Sequence, residues 1–336
     1  MKEPLRISGY LFTHFDVLVV ELADQGVLGR GEASGVYYHG ESPQRMAEQI
    51  ERARARLESG ISRTALREVL PPGGARAAVD AALWDLEAKR TGISVYERAH
   101  AGVPRALPTT YTIGAHSPER MARAARSFAG APRLKLKLTG EDDLERLRAV
   151  RAACPQTWVG IDANQGLTRA SLEALLPDLE ALRVQLIEQP LPVGQEMQLR
   201  GLRSPIPLAA DESVQTMSDL RAALGIFDVI NIKLDKCGGL TEALLMVHEI
   251  RRLGMSPMVG CMSSTTLGIA PACVIGQLCD LVDLDAPMFL REDRSPASVY
   301  RDGMVCCPQA WGFPDGHRSP MRAPDTEVSG EPGPSV

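Results

Sequence analysis

Between residues 133 and 233 one pattern returns five times: a short apolar run with a charged residue at or beside its end. The runs are RLKLKL (133–138), WVGID (158–162), VQLIE (184–188), PLAAD (207–211) and DVINIK (228–233). Their charged residues, Lys137, Asp162, Glu188, Asp211 and Lys233, stand 25, 26, 23 and 22 positions apart. That interval accommodates one strand, one helix and two loops. Helical patterning fills the gaps, near 141–153, 169–180, 195–202, 216–224 and 240–252. TTYTI (109–113) and a helix opened by Ser117–Pro118–Glu119 precede the series. PMVGC (257–261), a helix near 265–278 and LVDLD (281–285) follow it. Eight strands alternating with seven helices imply parallel strands joined by right-handed crossovers. The expected fold class is α/β, a (β/α)7β TIM-like barrel with an α+β capping domain. An open doubly wound sheet would also alternate, but no G-x-G-x-x-G opens a helix here.

The first hundred residues have a different grammar. VLVVELA (17–23), a turn at Asp24–Gln25–Gly26 and VLGRGEAS (27–34) read as an antiparallel hairpin. Ser42–Pro43 starts a helix that runs to about Leu57. A second helix over 74–90 places Ala75, Val79, Ala82, Leu83 and Leu86 on one face, and Thr91–Gly92 ends it. The expected division is a capping domain over 1–107, the barrel over 108–290, and a segment over 291–336 that returns to the cap and ends in a loose Gly-, Pro- and Ser-rich tail.

With 336 residues, 44% hydrophobic and 24% charged, the chain can bury a barrel-sized core. A net charge of −5 without basic clusters argues against nucleic acid. No apolar run approaches the roughly 18 residues of a membrane span. The start, MKEPLRISGYLF, lacks a signal-peptide pattern. Seven cysteines without a C-x-x-C pair suit buried thiols in a reducing compartment, so a cytoplasmic location is expected.

In a barrel of this kind, catalytic groups stand at the C-terminal strand ends. Asp162, Glu188 and Asp211 end consecutive strands and would converge. Three carboxylates repel one another, and a hard divalent cation resolves the conflict: Mg²⁺, with Mn²⁺ as the alternative. Lys137 and Lys233 then flank that cation from the strands before and after. A substrate carboxylate on the metal would have one lysine on each side of its α-carbon. One would remove the α-proton and the other return a proton on the opposite face, through an enediolate. Lys135 shares a face with Lys137 and, with burial, is expected to lower its pKa. Lys236 is expected on the opposite face from Lys233, and Asp235 on the same face but past the strand end. The six histidines make no ligand pair at helical spacing. Neither a G-x-S-x-G elbow nor a P-loop is present.

K-x-K (135–137), DANQG (162–166), EQPLP (188–192), ADES (210–213) and NIKLDKCGG (231–239) together resemble the enolase superfamily, muconate-lactonising subgroup, in its motif order. ARAAVDAALWDLEAKRTG (75–92) is similar to the capping-domain helix of those enzymes. The resemblance covers about residues 15–292. It implies Asp162, Glu188 and Asp211 as metal ligands, Lys137 and Lys233 as the acid/base pair, and Lys135 as support for Lys137.

Within the subgroup, GRGEAS…YYHGES (29–42) and VDLDAP (282–287) look most like dipeptide epimerases. A dipeptide is therefore the expected partner, and a homo-oligomer the expected assembly. Asp283 and Asp285, two apart on the last strand, are expected to face the mouth and bind the substrate ammonium. The capping loops offer Tyr10, Leu11, Phe12, Tyr37, Tyr38 and His39. ISGYLFTHF (7–15) has no arginine, where that family often carries one for a second carboxylate. With only His39 and Arg30 as basic groups near this side, the epimerised residue is expected to be apolar or aromatic, not Glu. The competing functions are an N-acylamino-acid racemase or o-succinylbenzoate synthase relative, muconate cycloisomerase, and a silent barrel kept for binding.

Overall fold

The computed structural model describes residues 1–7, 10–128, 130–140 and 142–316. The tail expected to be loose from Trp311 is packed at its start, where Trp311 and Phe313 are buried because their rings join the core; residues 317–336, including His317, lie outside the described residues, as do the side chains of 5–10, among them Tyr10.

The capping hairpin is formed by Leu18–Asp24 and Val27–Ala33, in register from Leu18↔Ala33 to Asp24↔Val27. Gln25 and Gly26 both take positive φ, 49° and 81°, as a two-residue type I′ turn requires. The hairpin lies directly on the helix Gly74–Thr91. A Cβ at Gly31 would overlap the Ala78 carbonyl, and one at Gly29 would overlap the Ala82 carbonyl, so glycine allows the sheet to rest on the helix backbone. Ala75, Ala78, Val79 and Ala82 bury that contact, and Gly92 closes the helix at φ 71°. Ser42 caps the helix Pro43–Glu58 through the Arg45 amide. A small hairpin, Leu5–Ile7 with Tyr10–Phe12, precedes the main one.

Eight parallel strands follow: β1 (Tyr111–Ile113), β2 (Arg133–Lys137), β3 (Trp158–Asp162), β4 (Val184–Glu188), β5 (Leu208–Ala210), β6 (Val229–Lys233), β7 (Ser256–Gly260) and β8 (Leu281–Asp283). Each pairs with its sequence neighbour. The Thr110 amide donates to the Val282 carbonyl at 3.0 Å and links β8 to β1, closing the ring. Leu134, Leu136, Ile161, Ile187, Ile230 and Ile232 face outward into the helix layer and form the main core. The inward residues of the lower barrel form a separate apolar plug of Leu186, Ala209, Val229 and Met258, with Trp158 and Leu281 against it. Gly160 makes room for the Trp158 ring, whose carbons would lie 2.7–2.8 Å from an added Cβ.

Several elements depart from expectation. In place of helices over 195–202 and 216–224 the chain makes 3-10 turns at Glu196–Leu199 and Met217–Asp219, the second running into Leu220–Ala223. Gly194 and Gly201 take left-handed φ on either side of the first turn and confine it. The last strand stops at Asp283, so Asp285 lies on the turn into Ala286–Phe289 and not in the strand. Past the barrel, Tyr300–Arg301 and Met304–Val305 pair with Leu107–Pro108. Trp311 Nε1 then donates to the Arg30 carbonyl at 2.8 Å, and the Gly312 amide to Asp85 at 2.8 Å. Among the described residues no helix is long and apolar enough to cross a membrane.

Candidate active site

Strand register sets the site. Lys137, Asp162 and Glu188 are Cα partners across β2, β3 and β4, and Lys233, Gly260 and Asp283 are partners across β6, β7 and β8. Asp211 follows the last residue of β5. Period-two alternation turns all of them inward, above the apolar plug. Asp162 and Glu188 are wholly buried, and Asp211 nearly so.

Each carboxylate has lysine partners. Asp162 Oδ2 accepts from Lys137 at 2.6 Å and pairs with Lys135 at 3.1 Å. Asp211 Oδ2 accepts from Lys233 at 2.6 Å, and its Oδ1 from Lys236 at 2.7 Å. Glu188 Oε1 accepts from Asn231 Nδ2 at 2.9 Å. Its Oε2 lies 2.8 Å from Lys135, an ionic contact outside hydrogen-bond direction, so that buried oxygen has no hydrogen-bond donor. Asp162 and Glu188 thus share the Lys135 ammonium, while Asp211 is engaged by Lys233 and Lys236. The Lys135 ammonium stands between Asp162 and Glu188, because opposite charges in a buried space collapse onto each other. Among the described residues no group of three or more His, Cys, Asp or Glu side chains is arranged to hold a metal ion as it stands.

One expectation is corrected. Lys236 was expected to face away, yet it is buried and reaches the Asp211 carboxylate and the Asn231 carbonyl. After Lys233 the chain turns into a short helix, Leu234–Cys237, where an offset of three returns to the same side. Burial pulls Lys135 and Lys233 down, but Asp162, Asp283 and Glu188 around Lys135, and Asp211 beside Lys233, hold these ammonium groups well above their ordinary value. Asp162 is opposed by burial but drawn down to about 2 by Lys135 and Lys137. Glu188 is pushed up to about 7 by burial and by Asp162.

Asp283 and Asp285 are both buried. Asp283 accepts from Lys135 at 2.8 Å and from the Thr110 hydroxyl. Asp285 accepts from the Thr112 amide at 2.6 Å, and burial with the Asp283 charge pushes it up to about 7.

Several of these groups line one open-mouthed cavity. Lys135, Lys137, Lys233, Asp211, Asp283 and Asp285 form its ionic side. Phe12, Phe15, Tyr37, Tyr38, Met262 and Phe289 form its apolar side. Phe12 stacks on Phe15 at 4.8 Å and meets Tyr37 edge-on at 5.1 Å. The Tyr38 hydroxyl is buried and faces Gln215 without a well-directed hydrogen bond. Burial pushes the Tyr37 and Tyr38 hydroxyls well up, so both keep their protons. His39 packs against Tyr38, is exposed, and is not in the cavity lining. Leu11 is 56% exposed, and Arg30 is outside the lining.

Sequence reading passed over three groups. Asn231 faces inward by the alternation that places Lys233, but as an uncharged residue within a strand it carries no obvious signal. Glu212, beside Asp211, and Asn164, two residues after Asp162, also line the cavity.

A closed parallel barrel with lysines and carboxylates at its C-terminal mouth, covered by an α+β cap, defines a class of two-domain barrel enzymes. Residues 1–98 match the family model described as mandelate racemase / muconate lactonizing enzyme, N-terminal domain. Residues 119–313 match enolase C-terminal domain-like. The chain belongs to this family, the enolase superfamily, and it is an isomerase of the epimerase and racemase kind. It is 39% identical to the L-Ala-D/L-Glu epimerase of Escherichia coli (strain K12) over 289 residues, 85% of this chain and 90% of the relative. It is 35% identical to the N-acetyl-D-glutamate racemase of a Pseudoalteromonas species, over 88% of this chain and 95% of that protein. Among solved structures, an enolase family member from Agrobacterium tumefaciens with homology to dipeptide epimerases, with bound sodium and L-Ala-L-Glu, superposes with a TM-score of 0.89 at 43% identity. That match covers 92% of this chain and 95% of the other.

Proposed function

We propose that the protein is a Mg²⁺-dependent dipeptide epimerase that inverts the α-carbon next to the terminal carboxylate by proton transfer between Lys137 and Lys233. One observation carries this reading. Lys137 on β2 and Lys233 on β6 enter one cavity from strands four apart in either direction around an eight-strand ring, so they flank it from opposite sides. An α-carbon between them has one ammonium or amine on each face, which is what inversion requires.

Asp162, Glu188 and Asp211 would hold the cation. Their fit is supported by an all-oxygen donor set and by the Glu188 Oε2 that lacks a hydrogen-bond donor. Three carboxylates favour a divalent ion over the sodium bound in the Agrobacterium relative. When bound, Mg²⁺ supplies positive charge where negative charge builds as the α-proton leaves. With the carboxylates engaged on it, Lys137 would lose Asp162 and Lys233 would lose Asp211 as ion-pair partners. Lys137 would then take or give the proton on one face and Lys233 on the other, with Lys135 keeping Lys137 poised by charge. Asp285, and Asp283 once released from Lys135, would receive the substrate ammonium. Phe12, Tyr37 and Tyr38 would contact the side chain on the inverted carbon. With no arginine in that wall, an apolar or aromatic residue suits it better than Glu.

An N-acylamino-acid racemase is the second reading. It is favoured by the engagement of Asp283 with Lys135 and Thr110, which leaves fewer free acceptors for an ammonium. The test is incubation with a dipeptide panel and N-acetylated amino acids in D₂O with Mg²⁺. A mass gain of one at the second residue of a dipeptide, with both epimers formed, is the expected result. Exchange confined to N-acetylated substrates would overturn the dipeptide reading, and a best substrate of Ala-Glu would overturn the side-chain assignment.

A further inference from the structure

Three groups in or beside the short helix Leu234–Cys237 reach three different parts of the molecule. Lys236 turns into the barrel to Asp211. The Gly238 carbonyl accepts from Arg76 of the capping helix at 3.1 Å. Asp235 faces the cap: its Oδ1 accepts from the Ser34 amide at 3.0 Å and the Gly35 amide at 2.8 Å, about 200 residues away in the chain. Those two amides open the turn that carries Tyr37 and Tyr38 into the cavity wall.

The turn is shaped before it meets the barrel. Gly35 has φ 78°, and a Cβ there would press on Glu41 and Met46. Glu41 accepts from the Val36 amide at 2.7 Å and the Gly74 amide at 3.1 Å, which fixes the turn to its own domain. Asp235 then joins this preformed unit to the strand end that bears Lys233. A carboxylate bridging two amides is a strong, directional tie. The cap-side charges that act on it, Glu41 and Glu32, are both acidic.

We propose that Asp235 is a positioning residue for substrate recognition: it sets the Tyr37–Tyr38 wall at a fixed distance from Lys233. The side chain on the α-carbon is then measured against the same frame that holds the base. Asp235 touches neither substrate nor reacting atoms, and the proposal rests on the dipeptide-epimerase reading above.

The experiment compares wild type, Asp235→Ala and Asp235→Asn on L-Ala-L-Phe and L-Ala-L-Ala, with hydrogen–deuterium exchange of the segment 33–41. Asp235→Ala should raise KM for L-Ala-L-Phe about tenfold while kcat stays within about threefold, the pattern of lost binding without lost chemistry. Its preference for L-Ala-L-Phe over L-Ala-L-Ala should collapse, and the Ser34 and Gly35 amides should exchange faster. Asparagine keeps an oxygen acceptor and should fall between. An equal loss of kcat on both dipeptides at constant KM would overturn the proposal, as would faster exchange with discrimination unchanged. If the alanine variant does not fold, the asparagine variant is read by the same criteria. A wild-type enzyme that exchanges no dipeptide α-proton would overturn the reading of the reaction itself, and this proposal with it.

Discussion

On the barrel side of the cavity, Lys137, Asp162, Glu188 and Lys233 occupy strand ends, in register with their neighbours and paired at 2.6–2.9 Å. On the cap side, Tyr37 and Tyr38 occupy a 3-10 turn and Phe12 the end of a three-residue strand, all partly exposed. The ionic side is held by a closed ring of strands. The aromatic side is held by a few hydrogen bonds to turns. Groups that must meet a reacting atom are on elements that cannot shift alone, and groups that meet a variable side chain are on segments that tolerate change.

Breaking the barrel side should therefore abolish chemistry, and breaking the cap side should change selection. The largest effect is expected at Lys233. Its replacement by alanine should lower kcat for epimerisation about 10³-fold or more, since the loss of one acid/base group removes one face of the transfer. EDTA should likewise silence the wild type and Mg²⁺ restore it. Residual full activity in Lys233→Ala would remove the two-sided mechanism. Next comes the plug beneath the site. Met258 is 1% exposed, and Met258→Ala should cost about 2–5 kcal/mol of stability, read as a lower denaturation midpoint with kcat per folded enzyme little changed. On the cap side, Tyr37→Ala should lower kcat/KM for an aromatic second residue about tenfold and leave small ones nearly unaffected, since one pocket contact is lost. A uniform loss across all dipeptides would place Tyr37 with the chemistry instead.

The smallest effect concerns pH. Asp80, on the capping helix, accepts from the Thr241 amide at 3.0 Å, and burial pushes it up to about 6. The folded protein therefore binds more protons at Asp80 than the unfolded chain between about pH 4 and 6. This group's contribution is greatest below that window and is lost as pH rises through 6. Asp80→Asn should flatten the fall in melting temperature across that interval, and an unchanged slope would assign the pH dependence elsewhere.

The barrel side was legible because its rule is local. Alternation within a strand and a repeat near 24 residues suffice to align Lys137, Asp162, Glu188, Asp211 and Lys233. The same rule failed where it was carried too far. Extending the strand past Lys233 turned Lys236 away, whereas the chain had already become helical. On the cap side, Asp235 joins Gly35 across 200 positions, and no local pattern encodes a contact at that separation. Phe12 and Tyr37 were found as aromatics in loops, but His39, next in line, points to solvent, because a turn does not impose alternation.

The plug of Leu186, Ala209, Val229 and Met258 makes the barrel a cup and not a pipe. Lys137 and Lys233 open onto the cavity above it, whose mouth a bound substrate would cover. For the proposed reaction, a well-fitting dipeptide would act as its own stopper and take up only the one deuteron already carried by the opposite lysine. A poorly fitting one would leave the cup ajar and pick up more deuterium from D₂O for each inversion completed.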